Sequence, residues 1–175
     1  MAAQLAEGAI AMLPLFFGLA THGLCIPFGA LRAFARPIST SLFGANKTYR
    51  GILCVAIGTA VGFVVIRPSL LEPTDARRLA LVGFCVGAAA MAAELPNSFL
   101  KRRLGIAPGS QARGARGAAF HVLDQIDLVV GAWAVLAWLV LPTLPRLAGS
   151  LLVVYIGHQL LSVAGYWLGM RTTAR

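Results

Sequence analysis

The sequence predicts an all-α membrane protein, a bundle of about five transmembrane helices forming a single integral membrane domain over residues 1–175. Three observations predict it. Hydrophobic residues make up 58% of the chain and charged residues only 12%, whereas an ordinary soluble domain is about a quarter charged. Five apolar stretches approach the roughly 20 residues a helix needs to cross a bilayer core of about 30 Å. The basic residues gather in alternate connectors.

The first span, near 8–31, opens without Lys or Arg and carries Glu7 where a secretory signal would be positive, so it is expected to stay as a membrane helix. The second and third, near 52–71 and 79–95, hold Gly58 with Gly62 and Gly83 with Gly87, one-turn spacings that let helices approach closely. The fourth, near 122–141, begins with Asp124 and Asp127, which a lipid-facing helix would not tolerate. The fifth, near 148–169, carries Gly165 and Gly169.

Arg32, Arg36, Lys47 and Arg50 lie in the connector over 32–51, and Lys101, Arg102, Arg103, Arg113 and Arg116 in the connector over 96–121. The intervening connectors hold only Arg67, Arg77, Arg78 and Arg146. The positive-inside rule then places the N-terminus outside, the C-terminus inside, and both long loops on the cytoplasmic face of the cell membrane. The net charge of +9 reflects a scarcity of acids, and no nucleic-acid partner is expected. Cys25, Cys54 and Cys85 stand alone in apolar surroundings, without metal or disulfide spacing.

Of the six acids, Glu7, Glu72 and Asp75 fall at ends or in an outer connector. Glu94, Asp124 and Asp127 lie just inside the cytoplasmic boundary, flanking the same basic connector. Asp124 and Asp127 share one helix face, where like charges repel unless a cation joins them. They either pair with Lys101, Arg102 or Arg103 or hold a divalent cation with Glu94, and intramembrane acids favour the second reading. Mg²⁺ is the expected ion, because it is commonly held by one or two carboxylates plus substrate phosphates.

The two inner loops suit phosphate oxygens through backbone N–H groups and cations. One reads Gly44-Ala45-Asn46-Lys47-Thr48-Tyr49-Arg50-Gly51; the other contains Asn97-Ser98-Phe99-Leu100-Lys101-Arg102-Arg103-Leu104-Gly105 and Pro108-Gly109. A phosphate-rich ligand bridged by a metal accounts for loops and acids together. His121 is a candidate site contact, whereas His22 and His158 are expected to be packed helix residues. Trp133, Trp138 and Trp167 are expected to serve packing or the membrane interface.

These two blocks, with Glu94 and Leu123-Asp124-Gln125-Ile126-Asp127, resemble the CTP-dependent cytidylyltransferases that make CDP-activated lipids, most closely the small five-span CDP-archaeol synthase branch. The resemblance covers about 42–131 and implies transfer of CMP from CTP to a phosphorylated lipid, with Mg²⁺, giving CDP-lipid and pyrophosphate. In the archaeal branch the lipid is unsaturated archaetidic acid; the larger relatives use phosphatidic acid. It implies Asp124 and Asp127 as metal ligands and Lys47, Arg50, Lys101 and Arg102 as phosphate contacts; the charges themselves suggest Glu94 as a third ligand or as a group supporting one, and Lys101 as a catalytic contact. The expected substrate contacts are Asn46, Lys47, Thr48, Arg50, Ser98, Arg102, Arg103, Gly105, Pro108 and Gly109. The family usually has Gly-Asp where this chain has Ala93-Glu94, and the basic stretch over 110–117 looks expanded. The alternative is a non-catalytic protein that binds or transports lipid or ions, for which no nucleotide dependence is expected.

Overall fold

A computed structural model describes residues 1–71, 75–108, 110 and 114–167. Among the described residues there are five α-helices: α1 (Ala2–Cys25), α2 (Tyr49–Ile66), α3 (Ala76–Arg103), α4 (Gly114–Leu136) and α5 (Leu144–Trp167). All five are long and apolar enough to cross a membrane. A single 3-10 turn, Arg32–Phe34, interrupts the long connector before α2, and no strand occurs among the described residues.

Local chemistry sets most boundaries. Pro27, with no N–H to give, and Gly29 at φ 64° turn the chain away after α1, short of the expected end near 31. Thr48 opens α2, its hydroxyl accepting from Gly51 N–H at 3.1 Å, and Arg67 in the left-handed region closes it before Pro68. Asp75 caps α3 by accepting from Arg78 N–H at 2.7 Å, and Gly105 at φ 73° ends it.

Two boundaries differ from expectation in a way that matters for the site. The third span was expected to end near 95, but α3 runs through Pro96 to Arg103; α4 starts at Gly114 rather than near 122. The expected loop over 96–121 is therefore largely helix. Hydropathy misplaces these ends because their polar residues face one another between α3 and α4 instead of facing water.

In space the order is α5, α1, α2, α3, α4, and the sparsest contact between neighbours, α4 with α5, closes the bundle. Sequence-adjacent helices run antiparallel. The backbones approach closely at the glycine pairs: a methyl group on Gly62 would lie 2.8 Å from the Pro14 backbone, and one on Gly87 2.8 Å from Ala56 Cα. Gly169 lies outside the described residues. Met12, Leu15, Phe63, Val86, Trp133, Leu136 and Val154 fill the centre. At one end Arg146 Nη2 pairs with Glu7 Oε2 at 2.9 Å, tying α5 to α1. At the other end the remaining buried charges collect.

Candidate active site

On α3, Glu94, Asn97, Ser98 and Lys101 recur at one-turn intervals and share a face, because the helix continues through Pro96. That face meets α4. Lys101 Nζ donates to Asp124 Oδ1 at 2.6 Å, and Asn97 Nδ2 donates to the same oxygen at 2.7 Å. The Phe120 ring lies beside the ammonium, its centroid 5.3 Å from Nζ, which helps hold Lys101 in this pose. Glu94, one turn before Asn97 on α3, is ion-paired with Lys47, just ahead of the Thr48 cap of α2. The site thus joins three helices through two lysine–carboxylate pairs.

Asp127 lies one turn further along α4 than Asp124. Its Oδ2 is buried and has no hydrogen-bond partner in the protein. Asn97, Asp124, Glu94 and Lys101 are its electrostatic neighbours. Two arginines are similarly under-used: Arg50 Nε, and Arg102 Nε and Nη1, are buried without partners. An acid with a free oxygen and two guanidinium groups with free N–H bonds stand at the same end of the bundle. Burying such groups is costly unless a ligand completes them.

The two phosphate-suited segments meet. Gly44 takes φ 92°, and a methyl group there would lie 2.9 Å from Pro108 Cγ, so the loop before α2 rests on the loop after α3. Asn46 is exposed on that loop, Ser98 is buried on the α3 face, and Gly109 lies outside the described residues. Some expected contacts have structural work. The Thr48 hydroxyl is committed to the α2 cap, Gly105 terminates α3, and Arg103 is exposed with its guanidinium 4.9 Å from the Phe99 ring centroid.

Three histidines also have defined places. His121 pairs with Gln159 on α5, and His158 on α5 pairs with Gln125. His22 departs from its expected mid-span packing role: it sits at the site end of α1, beside Gly51, with Arg50, Glu94 and Lys47 as neighbours and a buried, unpartnered Nδ1. Nothing in the first span marks His22 as a site residue, since its neighbours are contributed by α2 and α3. Asn97 did carry a signal, its spacing from Glu94 and Lys101, but Pro96 obscured it.

Among the described residues no three His, Cys, Asp or Glu side chains gather as a metal-ligand group. Glu94, expected as a third ligand, is engaged by Lys47. Asp124 and Asp127 with the free Asp127 oxygen do fit Mg²⁺, which takes one or two protein carboxylates and completes its shell with water and phosphate.

A family model for CarS-like CDP-archaeol synthase matches residues 38–174, which include the α2, α3 and α4 site residues. The chain belongs to the CDP-archaeol synthase family. A CDP-archaeol synthase of Methanoregula boonei is 33% identical over 74% of this chain and 79% of its own length. That of Methanocella arvoryzae is 33% identical over 85% of this chain and 95% of its own. That of Methanosarcina acetivorans is 27% identical over 83% and 93%, respectively. No solved structure matches the chain. Membership makes this CDP-archaeol synthase family member an enzyme, a CTP-dependent cytidylyltransferase, and sets aside the transporter reading.

Proposed function

We propose that the protein transfers CMP from CTP to a phosphorylated diether lipid of the archaetidic acid class, releasing pyrophosphate at the cytoplasmic boundary of the cell membrane. The observation that carries this reading is the buried, unpartnered Oδ2 of Asp127 beside an Asp124 already held by Asn97 and Lys101. A free carboxylate oxygen next to a fixed one is a place for a cation bound to phosphates. The relatives, CDP-archaeol synthases by name, supply the lipid class.

An oxygen of the lipid phosphate, ionised near neutral pH, attacks the α-phosphorus of CTP; the α–β bridging bond breaks and pyrophosphate leaves. No protein base is needed, so the residues position two polyanions and offset their repulsion. Asp124 and Asp127 would hold Mg²⁺, which when bound screens the triphosphate and stabilises the leaving pyrophosphate. Asn97 and Lys101 fix the Asp124 carboxylate. The free N–H bonds of Arg50 and Arg102 are available for phosphate oxygens, and the capped N-terminus of α2 adds its positive end near Lys47. The basic inner loops, by the positive-inside rule, favour the cytoplasmic placement, where CTP is dissolved while the lipid tails stay in hydrocarbon.

The deciding experiment is pyrophosphate release by detergent-purified protein with CTP and Mg²⁺, comparing unsaturated archaetidic acid, phosphatidic acid and no lipid. Release that requires archaetidic acid and disappears in Asp127→Asn is the expected result. Release with phosphatidic acid alone overturns the lipid assignment; unchanged release by Asp127→Asn overturns the metal site.

A further inference from the structure

The α4–α5 seam is the thinnest contact between neighbouring helices, yet it carries two reciprocal polar pairs one turn apart on α4. Gln159 Nε2 on α5 donates to His121 Nε2 on α4 at 3.0 Å, and Gln125 Nε2 on α4 donates to His158 Nδ1 on α5 at 2.6 Å. His121 is further held by Tyr155, ring centroids 6.3 Å apart at an interplanar angle of 77°. Gln125 is 5% exposed and stands between Asp124 and Asp127 in the chain. Its neighbours on the helix point to α3; it points to α5.

From this arrangement we infer that Gln125 and His158 are positioning residues that fix the rotation of α4, and with it the Asp124–Asp127 carboxylate pair. This inference rests on the reading of those carboxylates as the metal site. On its α3 flank, α4 is restrained by the bonds of Asp124 and by Gly131, where a methyl group would lie 2.6 Å from Ala90 Cα. On its α5 flank the site half has the two His–Gln ties, with Trp133 Nε1 donating to Ser150 Oγ at 2.9 Å further along. Side-chain atoms sit about 5–6 Å from a helix axis, so rolling α4 by roughly 20° would move a carboxylate by about 2 Å. Mg²⁺ demands near-ideal octahedral geometry with bonds of about 2.0–2.1 Å, so a shift of that size removes a ligand. A rigid seam is thus a requirement of the metal site and not only of the fold. Interhelical Gln and His bonds suit it because the membrane offers them little water as a competitor.

The test measures Mn²⁺ binding by electron paramagnetic resonance in detergent-purified protein without lipid, alongside kcat, KM for CTP and thermal stability. Gln125→Leu and His158→Leu should each weaken Mn²⁺ binding at least roughly tenfold, as losses of residues supporting metal ligands do, and lower kcat with KM for CTP little changed. His158→Gln, which can still accept from the Gln125 amide, should restore Mn²⁺ affinity to near the parent value. A purely structural tie would instead lower stability in the two Leu variants and leave Mn²⁺ affinity unmoved in those that fold, which overturns the inference. Asp127→Asn serves as the reference: if it too leaves Mn²⁺ binding intact, the metal reading itself is wrong, and the two failures are told apart. Should Gln125→Leu not fold, the contrast between His158→Leu and His158→Gln still decides.

Discussion

Lys101 and Asp124 meet across the α3–α4 interface, Nζ to Oδ1 at 2.6 Å, although more than twenty residues separate them in sequence. Asn97 shares that oxygen. The pair explains how two acids one turn apart can be tolerated at a membrane boundary: Asp124 is compensated by protein groups and Asp127 keeps an oxygen for a ligand. On the proposed reading, structural and ligand-binding roles are divided between the two carboxylates.

That division predicts different stabilities for two inactive variants. Asp124→Asn removes the charge that Lys101 and Asn97 address and should cost about 1–3 kcal/mol, while Asp127→Asn, with Asn97 beside its carboxyl but no bond to break at Oδ2, should lower Tm less. Both should abolish pyrophosphate release. Thermal unfolding in detergent beside the activity assay checks this, and equal losses of Tm would contradict it.

Lys101→Met leaves Asp124 with Asn97 as its only described donor. Turnover should fall and the KM for CTP or lipid should rise, with membrane insertion preserved. Steady-state kinetics against each reactant reads this directly. Unchanged constants for both would reduce Lys101 to a structural anchor.

Lys47 and Glu94 should be energetically coupled, since they pair across α2 and α3 with both side chains largely shielded. A double-mutant cycle of Lys47→Met and Glu94→Gln should give a coupling of about 0.5–3 kcal/mol in stability. Glu94→Gln should reduce activity less than Asp127→Asn, because its carboxylate is spoken for by Lys47. Losses as complete as those of Asp127→Asn would make Glu94 a metal ligand after all.

Much of this was legible in the sequence. Five spans follow from the length and apolarity of the stretches, and the close approaches at Gly62 and Gly87 follow from small residues at one-turn spacing. The clustering of Glu94, Lys101, Asp124 and Asp127 follows from charges that lipid would reject. What was not legible depends on pairing. Hydropathy treats Asn97, Lys101 and His121 as loop-like because it scores each residue against lipid or water, whereas here each polar group meets another across a helix interface. Pro96 reads as a stop because it removes one helical hydrogen bond, a loss the α3–α4 contacts offset. His22 joins the site only because α1 packs on α2, a long-range fact that no local pattern encodes.

Two glycines separate packing from backbone conformation and give the last prediction. Gly87 is helical, and its Cα faces Ala56 so closely that an added methyl would meet Ala56 Cα and Thr59 Cβ at 2.8 and 2.9 Å. Backbone on one side leaves no flexible side chain to yield, so Gly87→Ala must push α2 and α3 apart, at a cost of about 1–3 kcal/mol. Because Lys47 and Glu94 bridge those same helices, the variant should also lose activity. Gly105 has open space around it but φ 73°, so Gly105→Ala pays only for the left-handed conformation, about 1 kcal/mol. Its Tm should drop slightly with turnover retained, if the residue serves to end α3 and not to touch substrate. A turnover loss in Gly105→Ala out of proportion to its Tm would place that glycine against the phosphates instead.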